Sequence, residues 1–590
     1  MRFREHSGSG DVVAVTGVNT ASFALLTTPA TNDGLLGFAV EREDPVENEK
    51  FFMPGYKVFK SVMPNPPQNV HVSTDEQPVQ SFLWDDFTLK PDRDYTYSFY
   101  PLKGSPKNLD RSTAPLTVTI HSEPLLTDSE HDVFFNRGVA ASQAYERKFG
   151  STPIDKLDDA TKAEAIQWLS RDLGAMLLEF IKRAEPGDRL LGCFYEFSYR
   201  PATDALLDAL GCGVDVQIIV DLKDNAAKFP RSENLDELNR SKFPAQNYTA
   251  RTARPNAIAH NKFMVLIRGG QPVQVWTGST NLTLGGVAGQ TNVGHWLRNP
   301  AVAQKYADYW DLLKTDPGGT ADDSSAEKKE KNAAFQAAVE QLSEAPADLH
   351  DLPEGTTALF SPRPTASLLT SYAQLLDTAE HQGCITLAFG IADVFKTLLT
   401  DNTDRSALIF ALLERQDEPN PRSHKPFIRI NSTNNVYEAW GSYIEEPVHQ
   451  WVRETTTGAL GLNAHVHYVH SKFMLVDPLG ADPVVVTGSA NFSDASTRVN
   501  DENMLAIRGS YRAADIYFTE FNRLFNHYYF RSVMEARHGH DSDQGASLFL
   551  DETPDWQQKY AVGKIRRKRL DVFDDTYIPV PPITKARVMS

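Results

Sequence analysis

One stretch of this sequence occurs twice, and it constrains the fold more than any other feature. His260-Asn261-Lys262-Phe263-Met264 leads to Thr277-Gly278-Ser279-Thr280-Asn281, and His470-Ser471-Lys472-Phe473-Met474 leads to Thr487-Gly488-Ser489-Ala490-Asn491. The copies align without a gap from His260 and His470 to Asn281 and Asn491, with ten of the twenty-two positions identical. The same polar residues at the same offsets mark two copies of one unit, each giving half of a site.

The chemistry follows from the spacing. In His-x-Lys both side chains fall on one face of a strand, because strand side chains alternate. Phe263-Met264-Val265-Leu266 and Phe473-Met474-Leu475-Val476 are continuous apolar runs, as a strand buried on both faces requires. Lysine neutralises an anion, and histidine attacks or carries a proton near neutral pH. Gly-Ser-x-Asn ends the next strand with small residues and an amide donor suited to an oxyanion. Two halves give two His, two Lys and two Asn around one pocket, a set fit for phosphoryl transfer. One His would be nucleophile, the other general acid, with Lys and Asn on the non-bridging oxygens. No Cys, His or Asp cluster has metal-ligand spacing, so neither metal nor cofactor is expected.

These motifs resemble those of the phospholipase D superfamily, whose members include endonucleases, tyrosyl-DNA phosphodiesterases and phosphatidyl transferases. The likeness spans roughly 130–535. The second copy carries the whole pattern: His470, Lys472, Asp477, Gly488, Ser489, Asn491 and then Asn500-Asp501-Glu502-Asn503. The first departs from it, with Ile267 where the second has Asp477 and Asn292 where the second has Glu502. The resemblance implies His260 as nucleophile forming a phosphohistidine and His470 as the acid that then activates water. Lys262, Lys472, Asn281 and Asn491 would hold the phosphoryl oxygens, Ser279 and Ser489 would contact substrate, and Asp477 and Glu502 would orient a histidine. If these carboxylates serve their own repeat, His260 is left without one, stays neutral and attacks, while His470 holds a proton.

The remainder of the 590 residues reads as ordinary globular protein, 41% hydrophobic and 23% charged. A net charge of −18 argues against a generic polyanion-binding surface but leaves room for a locally basic cleft. Cys193, Cys212 and Cys384 read as buried free thiols. The first residues lack the apolar core of a secretory signal, and no run approaches eighteen apolar residues. The expectation is a cytoplasmic protein, or one exported without a cleavable signal peptide.

In chain order, residues 1–125 hold seven strand-like runs separated by Asn, Gly, Pro and Asp clusters, which predicts an antiparallel β-sandwich. It weakly resembles a fibronectin type III module, and its expected role is structural or in docking a protein partner. Residues 130–315 form a first α/β lobe: helix Ala160–Glu185, strand Arg189–Phe194, helix Pro201–Leu210 and strand Val214–Leu222. A loop-rich stretch with Lys223, Lys228, Arg231, Arg240, Lys242, Arg251 and Arg254 leads into His260 and is expected to wall the site. Residues 316–352 read as a linker with a short helix, Lys331–Leu342, and 353–540 repeat the α/β plan. An insert at 414–465 carries Tyr437, Trp440, Tyr443 and Trp451, a candidate platform for a head group or base; His465 and His467 follow on the face opposite His470. The tail, 541–590, has a basic cluster at 564–569 that is open to a nucleic-acid or membrane contact.

The expected fold class is therefore α/β, with two pseudo-symmetric phospholipase D-type lobes behind an all-β sandwich. The leading function is phosphodiester hydrolysis or transfer on a glycerophospholipid, with peripheral membrane contact. A metal-independent endonuclease, favoured by the basic stretch, and a catalytically weak binding protein remain alternatives.

Overall fold

The structure is a computed structural model, and it describes residues 1–67, 70–138, 143–150, 152–224, 229–343, 346, 348–400, 407–417, 435–441, 467–538 and 549–580. Two seven-stranded sheets of identical order dominate it. In lobe one the strands run His131–Phe135, Val293–Leu297, Gln271–Gly278, Lys262–Arg268, Arg189–Phe194, Asp215–Asp221 and Tyr248–Arg251. In lobe two they run Gly355–Ser361, Glu502–Arg508, Val484–Gly488, Phe473–Val476, Gln382–Leu387, Leu408–Leu413 and Val436–Trp440. The last three strands of each sheet are parallel, with the helices Arg200–Gly211 and Arg231–Ser241 joining them in lobe one and Asp393–Thr400 joining the first two of them in lobe two, and the rest are antiparallel. The strand that follows His-x-Lys lies fourth of seven, so its apolar run is buried on both faces.

Helices cover the sheets. Asp159–Lys182, capped by the Asp158 side chain, and Arg200–Gly211 cover the outer face of lobe one. Pro300–Lys314 and Tyr511–His538 lie between the lobes and bury Tyr306, Tyr309, Trp310, Tyr517 and Phe521 in a cluster shared by both inner faces. The segment between the lobes holds a longer helix than the sequence predicts. Ser324 and Glu327 form a capping box, so it starts at Ser325 rather than Lys331 and runs to Leu342.

Residues 1–121 fold into two antiparallel sheets, one of four and one of five strands, packed face to face. The strand Arg2–Ser7 at its start is too polar to register as a strand in the sequence. The sandwich is fused to the lobes rather than tethered. Arg2 pairs with Asp515 at 2.8 Å, Arg512 with Glu123 at 2.9 Å, and the tail residue Trp556 donates to the Leu35 carbonyl at 2.9 Å. The tail's basic cluster belongs to the helix Ile565–Asp575, where Lys568 donates to Asn435 at 2.6 Å and Arg569 lies over the Phe410 ring.

Two expectations need correcting. Cys212 is exposed rather than buried, because it follows the last turn of the helix Arg200–Gly211; Cys193 and Cys384 are buried strand residues. The stretch after Leu222 is not loop-rich throughout, since it contains the helix Arg231–Ser241 and the strand Tyr248–Arg251.

Candidate active site

The two lobes meet along the segments that enter each motif. Ala259 bridges Asp501, and Val469 bridges Thr291, as isolated parallel pairs 210 residues apart in register. These bridges cross the site: each histidine enters beside the other lobe's polar strand end. His260 Nδ1 lies 2.9 and 3.1 Å from the two carboxylate oxygens of Glu502. His470 Nδ1 lies 2.9 Å from Asn292 Oδ1. The serine of each Gly-Ser-x-Asn donates to the same partner, Ser489 to Glu502 at 2.6 Å and Ser279 to Asn292 at 2.8 Å. Asn292 also donates its amide to the Gly286 carbonyl, so its Oδ1 is fixed toward His470. Both rings therefore carry their proton on Nδ1, and each keeps Nε2 for chemistry.

The lysines stand at equivalent places. Lys262 Nζ donates to the His260 carbonyl at 2.6 Å and Lys472 Nζ to the His470 carbonyl at 2.7 Å. Both histidines, both lysines and Glu502 are no more than 3% exposed. Burial dominates their titration. It lowers both histidines well below the usual range, with the two ammoniums adding to the effect. It brings Lys262 down to about 8, lowers Lys472 as well, with Lys262 beside it adding to the effect, and pushes Glu502 up to about 7. A buried pair of ammoniums beside two neutral imidazoles is a ready site for a phosphodiester anion.

Two further carboxylates hold the motif segments in place. Asp221 accepts the Ala259 N–H at 2.8 Å, and Glu414 accepts the N–H groups of His467, Tyr468 and Val469 at 2.6–3.1 Å. They occupy equivalent ends of the Asp215–Asp221 and Leu408–Leu413 strands, 193 residues apart. The motifs are 210 apart, and the longer connection in lobe two hides the correspondence in the sequence. Glu196, beyond the Arg189–Phe194 strand, was also missed: it hydrogen-bonds Asn281 and faces both lysines. Tyr195 beside it sets its ring 5.1 Å from that of His260.

A family model described as a cardiolipin synthase, phospholipase D-like domain matches residues 177–313 and 393–525, one segment in each lobe. Both lobes belong to the phospholipase D superfamily. Among solved structures, the phosphatidylserine synthase of Haemophilus influenzae Rd KW20 is 11% identical over 68% of this chain and 93% of its own, with a TM-score of 0.42. Nuc of Salmonella typhimurium, a phospholipase D family member, is 23% identical over 23% of this chain and 84% of its own, with a TM-score of 0.20. A mutant yeast tyrosyl-DNA phosphodiesterase is 11% identical over 58% of this chain and 87% of its own, with a TM-score of 0.29. No curated protein matches the chain.

Within this superfamily site, His260, Lys262, Asn281, His470, Lys472, Asn491 and Glu502 stand in or beside the centre. Asn281 and Asn491 each leave a buried Oδ1 without a hydrogen-bond partner among the described residues. Three expectations fail. Glu502 serves the histidine of the other lobe. Ser279 and Ser489 spend their hydroxyls on Asn292 and Glu502 and so act as positioning groups.

Asp477 is the third, and it does not reach a histidine. It lies at the far end of its strand, about 16 Å along the chain from Lys472 at strand rise. There it accepts the N–H groups of Glu380, His381 and Gln382 at 2.8 Å each. It lines a cavity of about 460 Å³ that contains none of the centre's residues. Asp477→Ala is expected to cost about 2–4 kcal/mol of stability, read as a lowered urea midpoint, because three N–H groups lose a charged acceptor. Turnover per folded molecule should stay within about twofold of wild type, since no reacting group is touched. A loss of turnover at unchanged stability would restore Asp477 to the catalytic set.

Part of the basic stretch is also spent internally, while Lys242 and Arg240 are exposed and Arg231 is partly so. Arg251 is fully buried, pairing with Asp501 at 2.9 Å and Asp316 at 2.6 Å, and Arg254 pairs with Asp501 at 3.2 Å. Lys223 is buried 3.9 Å from Asp221, and Arg240 pairs with Glu237 on its own helix. This network braces Asp501, the residue before Glu502, and Lys228 lies outside the described residues. Of the insert's aromatics, Tyr437 and Trp440 are core residues of the last strand of lobe two. Tyr443, Trp451 and His465 lie outside the described residues, and His467 contributes a backbone N–H to Glu414.

Proposed function

We propose that the protein cleaves or transfers the phosphodiester of a glycerophospholipid in two steps through a phosphohistidine. The observation that carries the mechanism is the crossed pairing of His260 with Glu502 and His470 with Asn292. A nucleophilic imidazole becomes cationic as its Nε2 bonds to phosphorus and stays so in the covalent intermediate. An acid loses its positive charge as it donates. The carboxylate therefore belongs behind the nucleophile, where it stabilises the transition state more than the ground state. Behind the acid it would hold the proton back. On this reading the bound phosphodiester anion offsets the two ammoniums and lets His470 take a proton from solvent on Nε2; His260 Nε2 attacks phosphorus, the P–O bond breaks, and His470 Nε2 gives that proton to the leaving oxygen. Water then gives a proton to His470 and its oxygen displaces His260 from phosphorus. Lys262 and Lys472 meet the phosphoryl charge, with Asn281 and Asn491 as amide donors.

The preference for a lipid over a nucleic acid rests on what the basic stretch does. Tracking a nucleic-acid backbone takes exposed cations along a groove. Lys223, Arg251 and Arg254 are buried in ion pairs instead, and the chain carries a net charge of −18. Side-by-side assays decide the matter. Phosphatidylethanolamine vesicles should yield phosphatidate or an exchanged phosphatidyl product, equally well with EDTA present, because lysines meet the phosphoryl charge. Single- and double-stranded DNA should stay intact. Cleaved DNA with intact lipid would overturn the substrate; loss of turnover in EDTA with recovery on a divalent ion would overturn the mechanism.

A further inference from the structure

Glu196 is out of place in an anion-binding centre. It presents a negative charge to Lys262 and Lys472 and engages the Asn281 amide, the groups that a phosphodiester needs. Each of these effects works against phosphate binding. A fold requirement does not account for it. The Phe194–Lys262 and Ile385–Met474 pairings put the two lobes in register across the neighbouring strand, and Asp221 and Glu414 share the same offset of 193 residues. By that register the lobe-two counterpart of Glu196 is Phe389, which is 65% exposed and makes no such contact. Lobe two builds the same strand end without a carboxylate.

Exposure separates Glu196 from the reacting groups as well. The two histidines, the two lysines and Glu502 are buried, whereas Glu196 is half-buried, so among the described residues it is the charged group of the centre open to an arriving substrate. A carboxylate at the open side of a phosphate site is favourable when the substrate brings a positive charge of its own. We propose that Glu196 is a specificity-determining residue, which receives an ammonium carried by the alcohol of the scissile phosphodiester. The ammonium would take the carboxylate and free the Asn281 amide for a phosphoryl oxygen. Binding would then exchange one internal hydrogen bond for two charge-assisted ones. Burial holds Glu196 up to about 7, so the substrate's ammonium would also favour its ionised form. Polyanions without an adjacent cation would be disfavoured by the same group.

This inference rests on the lipid reading above, and the test separates the two. Dihexanoyl phosphatidylethanolamine and dihexanoyl phosphatidylpropanol differ only in replacing the ammonium with a methyl group. The wild-type protein should favour the ammonium ester in kcat/KM by about ten- to a hundredfold, the range of one hydrogen bond to a charged group. Glu196→Gln should bring that ratio close to one and raise turnover of the propanol ester, since Asn281 and the lysines lose a competitor. Glu196→Asp should give an intermediate ratio and guards against a folding defect in the first variant. An unchanged ratio in Glu196→Gln, or an equal loss on both esters, would overturn the assignment and leave Glu196 a structural residue. Failure of the wild-type protein on both lipids, with DNA cleaved, would overturn the lipid reading and this one with it.

Discussion

His260→Ala should abolish phosphodiester turnover and phosphoenzyme formation together, with any substrate, by about 10⁴- to 10⁶-fold. His470→Ala should be as severe on an alkyl ester and much milder on a p-nitrophenyl diester. The difference lies in the leaving group. An alkoxide needs its proton as the P–O bond breaks, and general acid catalysis contributes about 10²–10⁴ in rate. A p-nitrophenolate leaves without one. With the activated diester, His470→Ala should therefore still transfer phosphorus to His260 and stall there, because the water of the second step has lost its base. Acid-labile, alkali-stable label should accumulate on the peptide containing His260 and be absent from His260→Ala. Label on the His470 peptide would reverse the two roles.

Much of the lobe architecture could be read from the sequence, because each motif is followed by a run that only a central strand accommodates, Phe263–Leu266 and Phe473–Val476. The strand–helix–strand unit between Arg189 and Asp221 was legible for the same reason, with Gly187 and Gly213 at its turns in the left-handed region. The fusion of sandwich to lobes was not. It depends on Arg2 meeting Asp515 and Arg512 meeting Glu123, pairs separated by several hundred residues and made of charges that look like any solvated face. Buried charges such as Arg251 and Arg254 misled for the same reason: a cation's sequence neighbours do not reveal that its partner, Asp501, lies in the other lobe.

The composition of the site was legible, its wiring was not. Duplication put two His, two Lys and two Asn in one place, and it put Glu502 and Asn292 at one equivalent position. Which histidine each serves depends on the crossed bridges Ala259–Asp501 and Thr291–Val469, which no alignment of one repeat on the other contains. The reading that His260 attacks because it lacks a carboxylate therefore rested on a false premise. The proposal keeps the assignment for the opposite reason, that the carboxylate stabilises the charge the nucleophile acquires. Asp477 misled because a conspicuous motif residue can serve the turn on which the strand ends.

Glu502→Gln isolates that carboxylate. Gln keeps the size and can still accept the His260 Nδ1–H, so the ring stays in place while the negative charge is lost. Replacement of a buried carboxylate behind a reacting histidine by its amide costs about 10⁴-fold in a comparable triad, and a loss of about 10³- to 10⁴-fold is expected here. The pH profile adds a signature that a folding defect would not give. Glu502 is held up to about 7 by burial and Lys262 is brought down to about 8. The active form needs the first ionised and the second protonated, so kcat/KM of the wild-type protein should fall below pH 7 and again above pH 8. Glu196 also titrates near 7, so the acidic limb belongs to the cluster of carboxylates. In Glu502→Gln the residual activity should lose most of that limb and keep the alkaline one, which the two lysines share, and Lys262→Arg should remove the part of it that Lys262 contributes, because guanidinium stays protonated. Phosphoenzyme formation from the p-nitrophenyl diester should slow as much as turnover, since the carboxylate acts on the attack. If Glu502→Gln retained activity within tenfold of wild type, or slowed only the hydrolysis of a preformed phosphoenzyme, the carboxylate would not be stabilising the attacking imidazole.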